Sequence, residues 1–186
     1  MRSAIVRTDS YTRGAIAFHW AIAVAVVVNL AIGIGHDAMP RGWGVMPFHK
    51  ALGITILMLS VARLAWRLTH RPPRLPATAP TWERTVAAAT HWTLYALTIA
   101  VPLTGWMMSS GGNPPRPLSW FGLFPIPHLP VDKASAGFGG EAHEVLGYAL
   151  AALVVLHVLA ALRHHLILRD ATLVRMLPIL RTERIG

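Results

Sequence analysis

The sequence has 186 residues, of which 54% are hydrophobic and only 13% are charged. A soluble domain of ordinary composition carries about 25% charged residues, so this composition excludes an average water-soluble enzyme and indicates a membrane protein. The absence of cysteine excludes disulfides, iron–sulfur clusters and thiolate zinc sites. A formal net charge of +9 would suit nucleic-acid binding, but the positions of the basic residues point elsewhere.

Four apolar stretches have about the 20 residues that an α-helix needs to cross a bilayer. They predict transmembrane helices over residues 15–35, 48–68, 86–108 and 142–168. Because these helices occupy nearly the whole chain, we expect residues 1–186 to form one domain, an all-α integral membrane four-helix bundle. Residues 70–80 are predicted to be a Pro-rich extended connector, and residues 109–139 a long Gly- and Pro-rich loop.

The basic residues predict the orientation of this bundle. With both termini on one side of the membrane, only four of the seventeen Lys and Arg residues fall on the other side: Arg41, Lys50, Arg116 and Lys133. Cytoplasmic loops carry the excess of positive charge in membrane proteins. We therefore expect both termini to be cytoplasmic. We also expect the protein to contact membrane lipid and not nucleic acid.

Seven histidines fall inside the predicted helices, and two of them, His164 and His165, lie near the end of the fourth. His143 and His157 are fourteen residues apart on the fourth helix, which places them about 21 Å apart and on nearly the same face. A polar ring in hydrocarbon is costly and indicates a functional site. Since imidazole is a common axial ligand of haem iron, the two levels predict two haems, one near each membrane surface.

The depth of each histidine suggests how the rings pair. His49 and His143 both open a helix at the outer face and can meet across one haem, although interfacial histidines bonded to lipid or loop carbonyls are an alternative. His157 lies in the inner half of the fourth helix, where its possible partners are His19 on the first helix and His91 on the third. Depth alone does not choose between these two.

Small and basic residues near the histidines fit the same interpretation. Gly53 and Gly147 each follow an outer histidine by four residues, where a porphyrin plane would need clearance; close helix contact is the alternative. Arg63 follows His49 by fourteen residues, and an arginine fork suits a haem propionate. A snorkelling interfacial arginine is the alternative for Arg63.

Several motifs, in order and spacing, resemble the bacterial cytochrome b561 family over nearly the whole chain. They are His19-Trp20, Phe48-His-Lys-Ala-Leu-Gly53, His91 with Ala100-Val-Pro-Leu-Thr-Gly105, His143-Glu-x-x-Gly-Tyr148, Leu156-His157, Arg163-His-His165 and Leu173-x-Arg-Met-Leu-Pro178. The family's members are small di-haem, quinone-linked proteins of the bacterial inner membrane. The resemblance implies two haems b per chain, one held by His19 and His157 and the other by His49 and His143, with His91 next to the ligands or on the quinone side.

One type in this family is a superoxide oxidase, which takes electrons from superoxide at the periplasmic face and reduces ubiquinone. The resemblance thus implies superoxide, or a redox protein, as the electron donor. Lys50 and Arg41 could steer the superoxide anion at the outer mouth. On the inner face, His164, His165 and His91 could donate hydrogen bonds or protons to a quinone.

Two rival functions remain open from the sequence. Within the redox class, the chain could be a cytochrome b subunit that accepts electrons from a hydrogenase or dehydrogenase. From another class, it could be a haem-free transporter or scaffold that uses its histidines for protons or metal.

Overall fold

The computed structural model describes residues 11–70, 80–170 and 172–177, and four long helices dominate this part of the chain. The helices are α1 (Arg13–Gly35), α2 (Val45–Thr69), α3 (Thr81–Ser110) and α4 (Lys133–Leu166). All four are long and apolar enough to cross a membrane, which confirms the predicted fold class. Most of the predicted Pro-rich connector, residues 71–79, lies outside the described residues.

Short elements join the helices at one end. Two 3-10 turns, His36–Ala38 and Arg41–Trp43, connect α1 to α2. Between α3 and α4, strands β1 (Ser119–Trp120) and β2 (Phe124–Pro125) form an antiparallel hairpin.

Helix α4 begins at Lys133, well before the predicted start at residue 142. The carboxylate of Asp132 caps the helix by accepting the backbone N–H of Ser135 at 2.8 Å, and this hydrogen bond holds the pKa of Asp132 below its usual range. At Gly139, an added Cβ would lie only 2.9 Å from Cε of Met107, so α3 and α4 approach closely there. The prediction of a loop as far as residue 139 was wrong because this glycine-rich segment serves helix contact rather than a turn.

Hydrogen bonds from two tryptophan side chains connect the helices to neighbouring segments at one end of the bundle. The indole of Trp66 on α2 donates to Oγ1 of Thr12, just before α1, at 3.2 Å. The indole of Trp20 on α1 donates to the carbonyl of Met176, beyond α4, at 2.7 Å. We call this end the inner end and the opposite one the outer end, following the orientation that the basic residues predict.

A seven-residue register, about two turns or 10.5 Å, organises all four helices into three layers. The middle layer is buried, with side chains at most 9% exposed: Val26, Ile56, Thr98 and Leu150. Seven residues toward the outer end on each helix, the outer layer consists of Gly33, His49, Gly105 and His143. Seven residues toward the inner end, the inner layer consists of His19, Arg63, His91 and His157. Two histidine levels are therefore separated by a buried layer of three apolar residues and Thr98, whose hydroxyl donates to the carbonyl of Leu94.

Candidate functional site

The outer layer brings His49 of α2 and His143 of α4 together, as the sequence predicted. Their ring centroids are 6.0 Å apart and the rings are nearly perpendicular, at 89°. A metal–nitrogen bond of about 2 Å on either side of one ion would place two imidazole centres roughly 6 Å apart. The spacing of this pair therefore fits two axial ligands of a single metal.

Backbone carbonyls fix the orientation of both outer rings. Nδ1 of His49 donates to the carbonyl of Asn29 at 3.1 Å, and Nδ1 of His143 donates to the carbonyl of Val101 at 2.8 Å. A carbonyl can only accept, so each ring carries its proton on Nδ1 and keeps the lone pair of Nε2 free. This arrangement is the usual one for a metal-binding histidine, whose second nitrogen is held by a carbonyl or carboxylate.

Two glycines allow the outer rings to take these positions. An added Cβ at Gly33 would lie 3.0 Å from Cε1 of His49, and one at Gly105 would lie 2.9 Å from Cε1 and Nδ1 of His143. Any larger residue would push the rings away. Sequence reasoning missed both residues, although the fourteen-residue spacing that links His143 to His157 also links Gly33 to His19 and Gly105 to His91.

The two glycines that the sequence singled out lie in more open surroundings. An added Cβ at Gly147 would meet no atom within 4 Å, and one at Gly53 would lie 3.7 Å from Nδ2 of Asn29, an ordinary contact. Close helix packing, the alternative explanation, therefore does not account for Gly147. Their role in haem clearance stays a prediction.

The inner layer gathers three histidines instead of two. The ring of His157 lies 6.4 Å from that of His19 and 5.6 Å from that of His91, centroid to centroid. Both candidate partners are in reach, so the geometry leaves the choice open, as the sequence did. Nδ1 of His19 is buried without a hydrogen-bond partner, an unfavourable state unless another group satisfies the ring.

Arginines and aromatic rings surround the inner layer. The guanidinium of Arg63 lies 5.1 Å from the ring centre of Tyr95, and that of Arg67 lies 5.4 Å from the ring centre of Trp92. Within the described ranges, no carboxylate forms an ion pair with Arg63. A negatively charged group of a cofactor would give Arg63 a partner for its charge.

At the inner end, His164 is held by an acidic residue that sequence reasoning missed. Nδ1 of His164 donates to Oδ2 of Asp170 at 2.6 Å, and Oδ1 of Asp170 accepts the backbone N–H of Thr172 at 2.8 Å. Burial raises the pKa of Asp170, but the hydrogen bonds from Thr172 and His164 outweigh it and bring the pKa below its usual range. Nδ1 of His165 is buried without a partner.

The residues predicted to steer an anion lie at the outer end. The ammonium of Lys50, next to His49, donates to the carbonyl of Pro117 at 3.1 Å. This bond leaves the positive charge without a carboxylate partner in the described part of the chain. The side chain of Arg41 lies outside the described part.

The donor set fits haem better than a bare metal ion. Among the residues that the structure describes, no group of three or more His, Asp or Glu side chains could hold a metal ion. Paired imidazoles at two levels suit instead an iron whose other four ligands come from a porphyrin. A buried polar atom also lacks a partner near each level, Oδ1 of Asn29 at the outer one and Nδ1 of His19 at the inner one.

Comparisons with known proteins identify the family of this chain. The family profile described as prokaryotic cytochrome b561 matches residues 10–178. The chain is 36% identical over 167 residues to "Cytochrome b561 homolog 2" of Escherichia coli K12, covering 87% of each protein. It is 32% identical over 170 residues to "Probable superoxide oxidase CybB" of Yersinia pestis, covering 88% of this chain and 93% of the relative.

A third relative, "Cytochrome b561 homolog 1" of E. coli K12, is 26% identical over 177 residues, which cover 91% of this chain and 98% of the relative. The matches span nearly the whole bundle, including all seven histidines of the four helices. The family implies b-type haem, electron transport and oxidoreductase chemistry in a bacterial membrane. The chain therefore belongs to the prokaryotic cytochrome b561 family of membrane electron-transfer proteins.

Proposed function

We propose that this chain transfers electrons from superoxide at the outer face to ubiquinone at the inner face, across the bacterial inner membrane. The observation that carries the proposal is the pair of histidine levels, about 21 Å apart along the helices and separated by a buried layer. In the balanced reaction, two superoxide anions each lose one electron and become dioxygen. One ubiquinone takes up these two electrons and two protons and becomes ubiquinol.

His49 and His143 hold the outer of two haems b in this proposal. Nδ1 of each ring donates to a backbone carbonyl, that of Asn29 or Val101, so Nε2 of each ring would be free to bind the iron. Gly33 and Gly105 keep the rings in place, while Gly53 and Gly147 leave clearance for the porphyrin. With both imidazoles bound, the haem would supply single-electron transfer and would leave no open position for oxygen.

His157 and His19 hold the inner haem. The family resemblance favours His19 over His91, and the unsatisfied buried Nδ1 of His19 supports a bound group at this ring. Arg63, without a carboxylate partner within the described ranges, binds a propionate. His91, 5.6 Å from His157 between centroids, then lies beside the ligands on the quinone side.

Superoxide is the donor that the outer end suits best. Lys50 stands next to His49, and its charge, together with that of Arg41, attracts a small anion toward the outer pair. The printed name of the Yersinia pestis relative, "Probable superoxide oxidase CybB", supports the same donor.

Ubiquinone is the acceptor proposed for the inner end. The carboxylate of Asp170 accepts the Nδ1 proton of His164, and a second proton on Nε2 makes that nitrogen the donor that a quinone carbonyl needs. His164 follows His157 by seven residues, about two turns, and therefore leaves α4 on nearly the same side. His165 and His91 supply further groups that can hold or move a proton.

Haem stoichiometry, a redox titration and a superoxide assay of the purified chain test this proposal. We expect about two haems b per chain, two resolved potentials, and ubiquinone reduction that depends on superoxide. A single haem would refute the two-level assignment. Two haems without superoxide-driven quinone reduction would refute superoxide as the donor. This outcome would favour the alternative, a cytochrome b subunit that accepts electrons from a hydrogenase or dehydrogenase.

A further inference from the structure

The hairpin of β1 and β2 lies beside the membrane-spanning part of α2 rather than above it. The indole N–H of Trp120 donates to Oγ1 of Thr55 at 3.1 Å. Thr55 follows His49 by six residues, which is about 9 Å farther toward the middle of the bundle. The indole of Trp120 therefore reaches below the outer end of α2, and strand β1 packs beside this helix.

A second indole fixes the other strand of the hairpin. Trp106 on α3 donates its N–H to the carbonyl of Pro127, directly after the hairpin, at 3.0 Å. Leu118 and Ile126, at the base of the two strands, are only 6% and 8% exposed. The base of the hairpin is thus buried against the bundle, which holds the hairpin in place.

Backbone N–H and C=O groups of the hairpin form hydrogen bonds with one another. Trp120 pairs with Phe124 across the two strands, the N–H of Ile126 donates to the carbonyl of Leu118 at 3.0 Å, and that of Leu123 donates to the carbonyl of Trp120 at 2.9 Å. Non-helical backbone is tolerated at membrane depth where its polar groups are paired or covered by protein. The pairing makes the hairpin compatible with contact to lipid.

The tip presents apolar side chains outward. In the turn from Trp120 to Leu123, the two central residues are Phe121 and Gly122. Both have positive φ, 49° and 77°, as in a type I′ turn. A phenylalanine rarely adopts this conformation, and here its ring packs on Phe48 at a centroid distance of 5.6 Å. Beyond it, Leu123 is 73% exposed and Phe124 is 54% exposed.

We propose that this tip, residues 121–124, inserts into the outer leaflet and anchors the loop between α3 and α4 to the lipid surface. Three observations favour lipid over water or a protein partner: the depth set by Thr55, the exposure of Leu123 and Phe124, and the absence of any charged residue from Leu118 to Ile126. The inference does not depend on haem content or on the electron donor.

A spin label at a single cysteine tests the anchor directly, because the natural chain contains no cysteine. The full chain carrying Leu123→Cys is labelled with a nitroxide in proteoliposomes, and its collision rates with oxygen and with a water-soluble nickel complex are compared. Asn113→Cys, in the exposed part of the same loop, is the aqueous control. Val155→Cys, 57% exposed in the second half of α4, is the lipid control.

We expect the ratio of oxygen to nickel collisions at position 123 to be several-fold higher than at position 113 and close to that at position 155. A ratio equal to that at position 113 would place the tip in water and overturn the proposal. Low collision rates with both reagents would mean that protein covers the tip, which would overturn it equally. Phe124→Cys serves as the second label site if the first variant does not assemble, with the same outcomes.

Discussion

The outer histidine pair and the inner histidine trio differ in how firmly the protein itself orients the rings. At the outer level, His49 and His143 each have a carbonyl partner for Nδ1 and a glycine beside the ring. At the inner level, three rings surround one position, and Nδ1 of His19 has no partner. The comparison indicates that the outer site is preorganised by its scaffold, whereas the inner site depends more on the group that it binds.

Removing an outer ligand should have the largest effect. In His143→Ala the chain should retain about one haem instead of two, and superoxide-dependent quinone reduction should fall by at least roughly a hundredfold. The pyridine haemochrome assay measures the stoichiometry. His128→Ala, an exposed loop histidine, is the matched control and should keep both haems. Retention of both haems in His143→Ala would show that the proposed pairing is wrong.

Two parallel substitutions test which histidine of the inner layer is the partner of His157. His19→Ala should lose the inner haem and keep the outer one, because His19 is the proposed partner of His157. His91→Ala should keep about two haems per chain and show only a shifted potential of the inner one, since its ring lies beside the ligands. Redox titration with visible spectra separates the two cases. The opposite pattern would make His91 the ligand.

The glycines beside the outer rings offer a smaller perturbation. In Gly105→Ala the new Cβ would lie 2.9 Å from the ring of His143, so the ring must shift and the affinity for the outer haem should fall about 10- to 100-fold. Gly137→Ala is the matched control on α4, because an added Cβ there would meet no atom within 4 Å. Haem retention during dilution measures the difference. Equal retention in both variants would remove the argument for preorganisation.

The smallest effect is expected at the inner end, from Asp170→Asn. The depressed pKa of Asp170 means that its carboxylate stays ionised above the ordinary value of about 3.9, so its bond to His164 persists through neutral pH and is lost only under acid conditions. In Asp170→Asn the charge is absent at every pH. The kcat for ubiquinone should fall about tenfold and its pH profile should shift, with haem stoichiometry unchanged. An unchanged pH profile would exclude a positioning role for Asp170.

The outer pairing could be predicted from the sequence because helix register and depth determine it. His49 and His143 both stand near the outer end of antiparallel helices, and no third helical histidine shares their level. The same reasoning failed to select between His19 and His91, since both stand at the depth of His157 and the structure places both rings in reach.

Other features depend on contacts between distant segments that a single sequence does not reveal. The need for glycine at positions 33 and 105 arises from rings on other helices. Asp170 meets His164 only because the chain turns back after α4. The hairpin lacks the Asn-Gly or Asp-Gly turn that would have indicated it, since Phe121 takes the first turn position.

The buried layer of Val26, Ile56, Thr98 and Leu150 has an energetic consequence for turnover. Under the proposed direction, electrons travel toward the cytoplasm, which is negative in a respiring cell, and therefore move against the transmembrane voltage. A full crossing costs about 2.3 kcal/mol per electron for each 100 mV. Because this layer supplies much of the dielectric thickness between the two histidine levels, a protonophore that collapses the voltage should accelerate quinol formation in sealed vesicles.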